Sequence, residues 1–441
     1  MKVFQITDAA SYQAAVDFVL ARSQGTGAAK AVQDRLDTVK WIVDTVRKNG
    51  DAALADFTER FDVVTLEPHQ FELSPKEIDA AVATVDPKLI AVLERAHENI
   101  RAFHAKNLRQ SWEETCEDGT VLGQRITPIE RVGVYVPGGK AFYPSSVLMN
   151  IVPARVAGVK EIVMVSPPSY QGSIHPGVLA AAKVAGATRV FRVGGAQAIA
   201  ALAYGTASVP AVNKITGPGN SYVTAAKRMV RNAVEIDSEA GPSEVVVIAD
   251  EHANPAYVAA EMLAQAEHDE EAASVLITPS ETLAAAVKER LAHEMETLPR
   301  TEIIERSLAD YGAMILVRSL DEAVALTNLF APEHLSIQTV FPRKVADQVA
   351  NAGAIMMGAM TPVAAGDYYA GRNHILPTAR RARFSSPLTA EDFRKVTSLL
   401  FYSQARLLRD AEDIIELANT EGLRAHARSV EVRVRHTEAP R

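Results

Sequence analysis

Gln265 and His268, three positions apart in Gln265-Ala-Glu-His268, can share one face of a helix and offer an amide oxygen and an imidazole to a single ion. Two ligands do not complete a shell, and a histidine near a helix end also serves as a surface or capping residue. Asp367, in Gly366-Asp-Tyr368, sits in a glycine-bounded turn, where a short carboxylate is either a turn former or a ligand. His426, in Glu421-Gly-Leu-Arg-Ala-His426, lies near the chain end, where a solvated helix face is the plainer reading. Pro332-Glu-His-Leu335 sets a carboxylate beside an imidazole, a pair able to activate water and to accept a proton near neutral pH. Its spacing alone reads equally as a helix start, with Glu333 in the first turn facing the helix dipole.

Three further stretches suit phosphate groups. Tyr135-Val-Pro-Gly-Gly-Lys140, Val193-Gly-Gly-Ala-Gln-Ala198 and Thr216-Gly-Pro-Gly-Asn220 each follow a short β-rich run and precede a helical one. Glycines there let a ligand approach the backbone, and free helix N–H groups favour an anion. Each alone is a tight turn; three at one sheet edge would form a nucleotide-binding crevice. None matches G-x-G-x-x-G, so the usual dinucleotide fingerprint is absent.

The elements that must position these residues follow from periodicity. Val32, Leu36, Val39, Val43 and Val46 recur at helical spacing before Gly50, and the first hundred or so residues read as mainly helical. After Arg131, strands are expected at Val132–Val136, Ile162–Val165, Val190–Val193 and Val212–Ile215, alternating with helices as in a parallel sheet. A second set is expected at Val245–Ile248, Val275–Ile277, Met314–Val317 and Ala354–Met357, with a helix over Pro255–Ala266. The expected fold is α/β, with two incomplete Rossmann-like parallel-sheet lobes, one inserted in the other. Residues 1–25 form an N-terminal arm, 26–134 with 244–388 a discontinuous lobe carrying the catalytic and metal residues, 135–243 the inserted nucleotide lobe, and 389–441 a C-terminal helical appendage.

At 441 residues the chain has ample material for two cores, and with 48% hydrophobic and 23% charged residues it is neither disordered nor fibrous. A net charge of −8 with scattered Lys and Arg argues against nucleic acid as a partner. Cys116 is the sole cysteine, so no intrachain disulfide forms and a metal must be held by nitrogen and oxygen. The start carries Asp8 and Asp17 without a long apolar core, and the apolar stretch 194–212 is broken by Gln197, Gly205 and Pro210. Neither a signal peptide nor a membrane span is expected, which places the protein in the cytoplasm.

Taken in order, Tyr135-Val-Pro-Gly-Gly139, Gly194-Gly-Ala-Gln-Ala198, the Thr216 to Asn220 loop, Ala240-Gly-Pro-Ser-Glu244 with Gln265-Ala-Glu-His268, and Ala331-Pro-Glu-His-Leu335 resemble the histidinol dehydrogenases. Gly366-Asp-Tyr, Asn373-His374 and Glu421 to His426 extend the likeness from roughly residue 30 to residue 435. The resemblance implies oxidation of L-histidinol to L-histidine, the last step of histidine biosynthesis, with two NAD as successive hydride acceptors. It implies one zinc per subunit, held by Gln265, His268, Asp367 and His426 and orienting the substrate. Ser243, His334, His374 and Glu421 would line the same pocket, and NAD would lie against Tyr135, Gln197 and Asn220. By the same resemblance His334 accepts the alcohol proton, Glu333 activates water against a bound aldehyde, and an intertwined homodimer carries Glu421 and His426 into the partner's site.

Two positions depart from the family pattern. Val363 follows Pro362 where a glutamate is common, and Arg372 stands before Asn373 where a proline is usual. A paralogue acting with the same chemistry on another small polar alcohol, such as a sulfonated diol, is the alternative reading. Gly241-Pro-Ser243 with the full histidine set favours histidinol.

Overall fold

Glu244-Val-Val-Val-Ile-Ala249 is apolar at every position after the first, the mark of a strand covered on both faces, and such strands belong to parallel sheets between helices. The computed structural model describes residues 1–21, 29–138, 142–239 and 241–438. Its strands in chain order are β1 (Lys2–Gln5), β2 (Trp112–Thr115), β3 (Val121–Pro128), β4 (Arg131–Tyr135), β5 (Glu161–Val165), β6 (Arg189–Phe191), β7 (Lys214–Thr216), β8 (Glu235–Ile236), β9 (Glu244–Ala249), β10 (Ala273–Thr278), β11 (Ala313–Leu316), β12 (His334–Gln338), β13 (Ala354–Met357) and β14 (Arg394–Phe401).

Two parallel sheets form the bulk of the fold, as expected from the alternating strands and helices. One runs β6-β5-β4-β7-β8, the other β1-β11-β10-β9-β12-β13. Setting β1 aside, both are wound alike. The chain first steps outward from a central strand (β4, β9), then returns and places the fourth strand (β7, β12) on its other side. Each sheet therefore has a topological switch point, between β4 and β7 and between β9 and β12, where neighbouring connections part and leave a crevice.

The N-terminal half departs from expectation. Residues 26–134 were assigned to the lobe of the six-stranded sheet, yet the helices Ala29–Asn49 and Asp51–Asp62 cover the five-stranded one. Val39, Ile42, Leu54 and Phe57 share a core with Val163, Phe191 and Ile199. The helices Pro75–Val82 and Pro87–Ala105 pack on the same lobe, against Pro176–Ala185 and Pro144–Val156. Helical periodicity shows that a face must be buried, not which sheet buries it. Nor is the start a separate arm: β1 pairs with β11, Lys2 beside Ala313, and the helix Ala9–Ala21 buries Ala15, Val16 and Val19 in the core of the six-stranded lobe.

Residues 108–128 and 394–441 form a second compact unit. Here the expected C-terminal helical appendage begins with a strand that helical periodicity does not announce: β14 joins β3 and β2 in an antiparallel sheet, Arg394 opposite Pro128 and Phe401 opposite Val121. Six of the eight β14 residues are exposed, so the half-buried alternation that marks a strand is missing from its sequence. The helices Gln404–Thr420 and Arg424–Glu438 follow and pack on each other.

Candidate active site

The three glycine loops meet at the carboxyl ends of the five-stranded sheet. Tyr135 ends β4, and its buried hydroxyl accepts a hydrogen bond from the Gly195 N–H at 3.2 Å. Burial pushes that hydroxyl up to about 12, so it stays protonated and keeps its own proton to donate. Gln197 lies buried in the first turn of the helix Gly195–Tyr204, its side chain folded back over Gly195. Beyond β7, Gly217 adopts φ 115 with its Cα against the Tyr135 carbonyl, where any Cβ would collide. Asn220 caps the helix Ser221–Val230, its Oδ1 accepting from Tyr222 N at 3.0 Å and Val223 N at 3.1 Å. Tyr135, Gln197 and the Asn220 loop thus converge on the switch point between β4 and β7. Gly139 and Lys140 of the first loop lie outside the described residues.

The Glu333–His334 pair lies at the opposite kind of edge. Glu333 and His334 precede and open β12, and Glu244 opens β9 alongside, so both stand at amino ends of the six-stranded sheet. Glu333 Oε2 accepts from the Glu244 N–H at 2.9 Å, while His334 Nδ1 faces the Glu244 carbonyl at 3.2 Å. A carbonyl and an ionised carboxylate only accept, so with Nδ1 on the Glu244 carbonyl and Nε2 on Asp367 the ring carries a hydrogen on both nitrogens, and Nε2 accepts a proton only once Asp367 turns to another partner. Nε2 faces Asp367 Oδ1 at 3.2 Å, and the Glu333 carboxylate stands 3.6 Å from Nδ1. Burial opposes a charged ring, but the carboxylates of Glu333 and Asp367 outweigh it and raise the His334 pKa. Burial likewise raises that of Glu333, partly offset by His334 and the Glu244 N–H.

Asp367 is the hub. It sits in the short helix Val363–Tyr368, and its Oδ1 also receives Arg372 Nη2 at 3.0 Å. Its pKa falls to about 2: burial works against the charge, and the hydrogen bond and charge of His334, with His374 and Arg372, prevail. His374 Nδ1 donates to the Asp367 carbonyl at 2.9 Å, so its Nε2 accepts from Ser146 Oγ, 3.3 Å away on the helix Pro144–Val156. Ser146 and His374 thus join a helix of one sheet's lobe to the loop after Asp367 in the other.

Gln265 and His268 arrive from the end of the helix Pro255–Ala266. Gln265 is buried, and its Nε2 has no hydrogen-bond partner, so the amide can turn its oxygen toward a cation without losing a bond. His268 is exposed at one edge, yet crowding by protein lowers its pKa while the Asp367 charge pulls it the other way. Among the described residues no three His, Cys, Asp or Glu side chains by themselves form a metal-holding set, so an ion here needs the Gln265 amide and a further ligand. With that addition the donor set suits a divalent ion of zinc's preferences.

The structure thus brings His268, Glu333, His334, Asp367 and His374 together, with Ser243 directly before Glu244 in the chain and Gln265 three residues before His268. Glu421 and His426 lie in the second unit, exposed at the junction of its two helices. Sequence reasoning missed Ser146 and Glu261. Glu261 lies one helical turn before Gln265, and its buried Oε2 accepts from the Val363 N–H at 2.9 Å. A carboxylate therefore borders Val363 although that side chain has none, and the i, i+4 spacing to Gln265 was the available signal.

Comparison with known proteins agrees with this geometry. The family model described as histidinol dehydrogenase matches residues 26–434. The histidinol dehydrogenase of Heliobacterium mobile is 54% identical over 90% of this chain and 93% of its own length. That of Halalkalibacterium halodurans is 48% identical over 98% and 99%. A crystal structure of histidinol dehydrogenase from Elizabethkingia anophelis superposes with a TM-score of 0.92 at 34% identity, covering 100% of this chain and 99% of the other. No described helix is long and apolar enough to cross a membrane. The chain belongs to the histidinol dehydrogenase family.

Proposed function

We propose that this NAD-dependent dehydrogenase oxidises L-histidinol to L-histidine in two hydride transfers, as the last step of histidine biosynthesis in the cytoplasm. The observation that carries the reading is the Glu333–His334 pair, tied to one backbone residue, Glu244, with His334 Nε2 turned toward Asp367. In the first oxidation His334 Nε2 takes the alcohol proton as the carbinol hydride leaves for NAD, giving an aldehyde retained in the pocket. Glu333 then draws a proton from water as the water oxygen adds to the aldehyde carbon. His334 returns its proton to the former carbonyl oxygen as the hydrate forms, and the hydrate then gives its hydride to a second NAD and one hydroxyl proton back to His334. Histidinol, water and two NAD thus yield histidine, two NADH and protons.

Tyr135, Gln197 and Asn220 would bind NAD at the β4–β7 switch point. Gln265, His268 and Asp367 would hold one zinc, with His426 supplied from the C-terminal unit of a partner in a homodimer. When bound, the zinc supplies a Lewis acid that fixes the substrate's imidazole and amino nitrogens. Ser243, His374 and the partner's Glu421 would complete the substrate pocket. Ser146 keeps the His374 ring in place.

The test is NADH formation from limiting histidinol with zinc-loaded protein, repeated after chelation. Two NADH per histidinol, lost on chelation, is the expected result. Turnover of a sulfonated diol and not of histidinol would move the protein to the paralogous activity.

A further inference from the structure

Asp62 is placed where no fold needs a carboxylate. It closes the helix Asp51–Asp62, at the negative end of that helix's dipole, and Val63 turns away from it in the left-handed conformation with φ 57. Its helix packs on Gly195–Tyr204, and Leu54 and Phe57 share a core with Tyr135, Val193 and Ala196. Asp62 Oδ2 is closed off from solvent and has no hydrogen-bond partner, and no ion pair reaches the side chain among the described residues. Burial alone raises its carboxyl to about 6. It lies near enough to the Tyr135 hydroxyl for its charge to act there. Most buried polar groups that serve only the fold are paired, and a buried charge without a partner costs several kcal/mol or more. A carboxylate kept in this state beside a crevice is fitted to a ligand that brings its own donors.

The crevice narrows which donors. Its glycine loops and helix N-termini suit phosphates, so the carboxylate must meet a neutral part of the same ligand. A ribose offers two adjacent hydroxyls, which one carboxylate can accept together, and a phosphate on either hydroxyl would set two anions in contact. We propose that Asp62 accepts hydrogen bonds from the adenine-side ribose of NAD, the ribose that carries the extra phosphate in NADP, and so disfavours NADP. This rests on the NAD reading above.

The test is steady-state kinetics of the zinc-loaded enzyme with NAD and with NADP for wild type, Asp62→Asn and Asp62→Glu. Asp62→Asn is expected to raise KM for NAD about tenfold, the equivalent of 1.4 kcal/mol, with kcat and KM for histidinol unchanged. Its ratio of NADP to NAD efficiency rises by about the same factor or more. Asp62→Glu, which keeps the charge but displaces it, should weaken NAD while still rejecting NADP. Should Asp62→Asn not fold, Asp62→Glu carries the test: an unchanged KM for NAD overturns the proposal. So does a folded Asp62→Asn whose two cofactor efficiencies match the wild type, even if its melting temperature moves. Failure of the wild type itself to reduce NAD with histidinol would instead overturn the underlying reading.

Discussion

Lys227 and Asp237 form an ion pair with side chains only 3% and 2% exposed, and together they grip Gly217 from both sides. Lys227 Nζ donates to the Gly217 carbonyl at 3.0 Å, and the Gly217 N–H donates to Asp237 Oδ2 at 2.7 Å. The pair thus fixes the left-handed residue that brings the Asn220 loop against Tyr135. Removing one partner of a buried pair leaves the other charge uncompensated, typically at about 3–5 kcal/mol. Lys227→Met should lose stability of that order in urea unfolding and raise KM for NAD, with KM for histidinol less affected. A variant as stable as the wild type would remove the pair from any structural role.

In the proposed mechanism Glu333 and His334 act at different moments, so their substitutions should separate kinetically. Glu333→Gln keeps the size of the side chain but cannot take a proton from water. It should slow the second hydride transfer at least as much as the first, by about 10²–10⁴-fold for loss of a general base. Single-turnover measurement with histidinol and with histidinaldehyde checks this. Impairment confined to the first transfer would reassign Glu333 to the alcohol step.

How much of this was legible in the sequence depended on which atoms do the work. The parallel sheets were legible because fully buried strands such as β9 and β10 are continuous apolar runs between helices. The glycine loops were legible because glycine marks close backbone approach, as at Gly217. The Glu333–His334 pair could be seen, and the family resemblance gave it roles, but its orientation could not be read, since what orients it is the backbone of Glu244, which carries no side-chain signature. Pro332-Glu-His reads as a helix start, yet His334 opens β12, whose neighbour in space is almost ninety residues away. The lobe boundaries were misjudged for the same reason: the helices over residues 29–105 choose their sheet by long-range packing. Asp62 gave no local signal, because an acidic residue at a helix end is ordinary until its burial is known.

The stability of the five-stranded lobe should depend on pH through His104. The ring is buried on the helix Pro87–Ala105, and its Nε2 lacks a partner. Burial holds its pKa at about 4, with the charge of Asp392 only partly opposing. The folded pKa lies below the unfolded value near 6.5, so the unfolded chain binds the extra proton first. Stability from this residue is complete above about pH 6.5, falls as pH drops toward 4, and levels off below. The loss is at most about 3 kcal/mol. Urea midpoints across that range should decline in the wild type and decline less in His104→Leu; identical profiles would place the sensitivity elsewhere.

Arg372 occupies a position that would bear directly on the proposed zinc site. Its Nη2 lies 3.0 Å from Asp367 Oδ1, with Nη1 anchored on the Asn373 carbonyl at 3.1 Å, and only a glycine at 366 leaves room for the guanidinium. If Asp367 is a ligand as proposed, a fixed cation on its carboxylate repels a divalent ion and also stabilises the metal-free site, so both effects oppose loading. Arg372→Gln should therefore bind zinc about tenfold more tightly, a change of 1.4 kcal/mol, when measured by competition with a chromophoric chelator. The metal-free variant should at the same time be less stable than the metal-free wild type, because Asp367 loses a charged partner. Weaker zinc binding would mean that Arg372 orients Asp367 for the ion, and unchanged affinity would take Asp367 out of the ligand set.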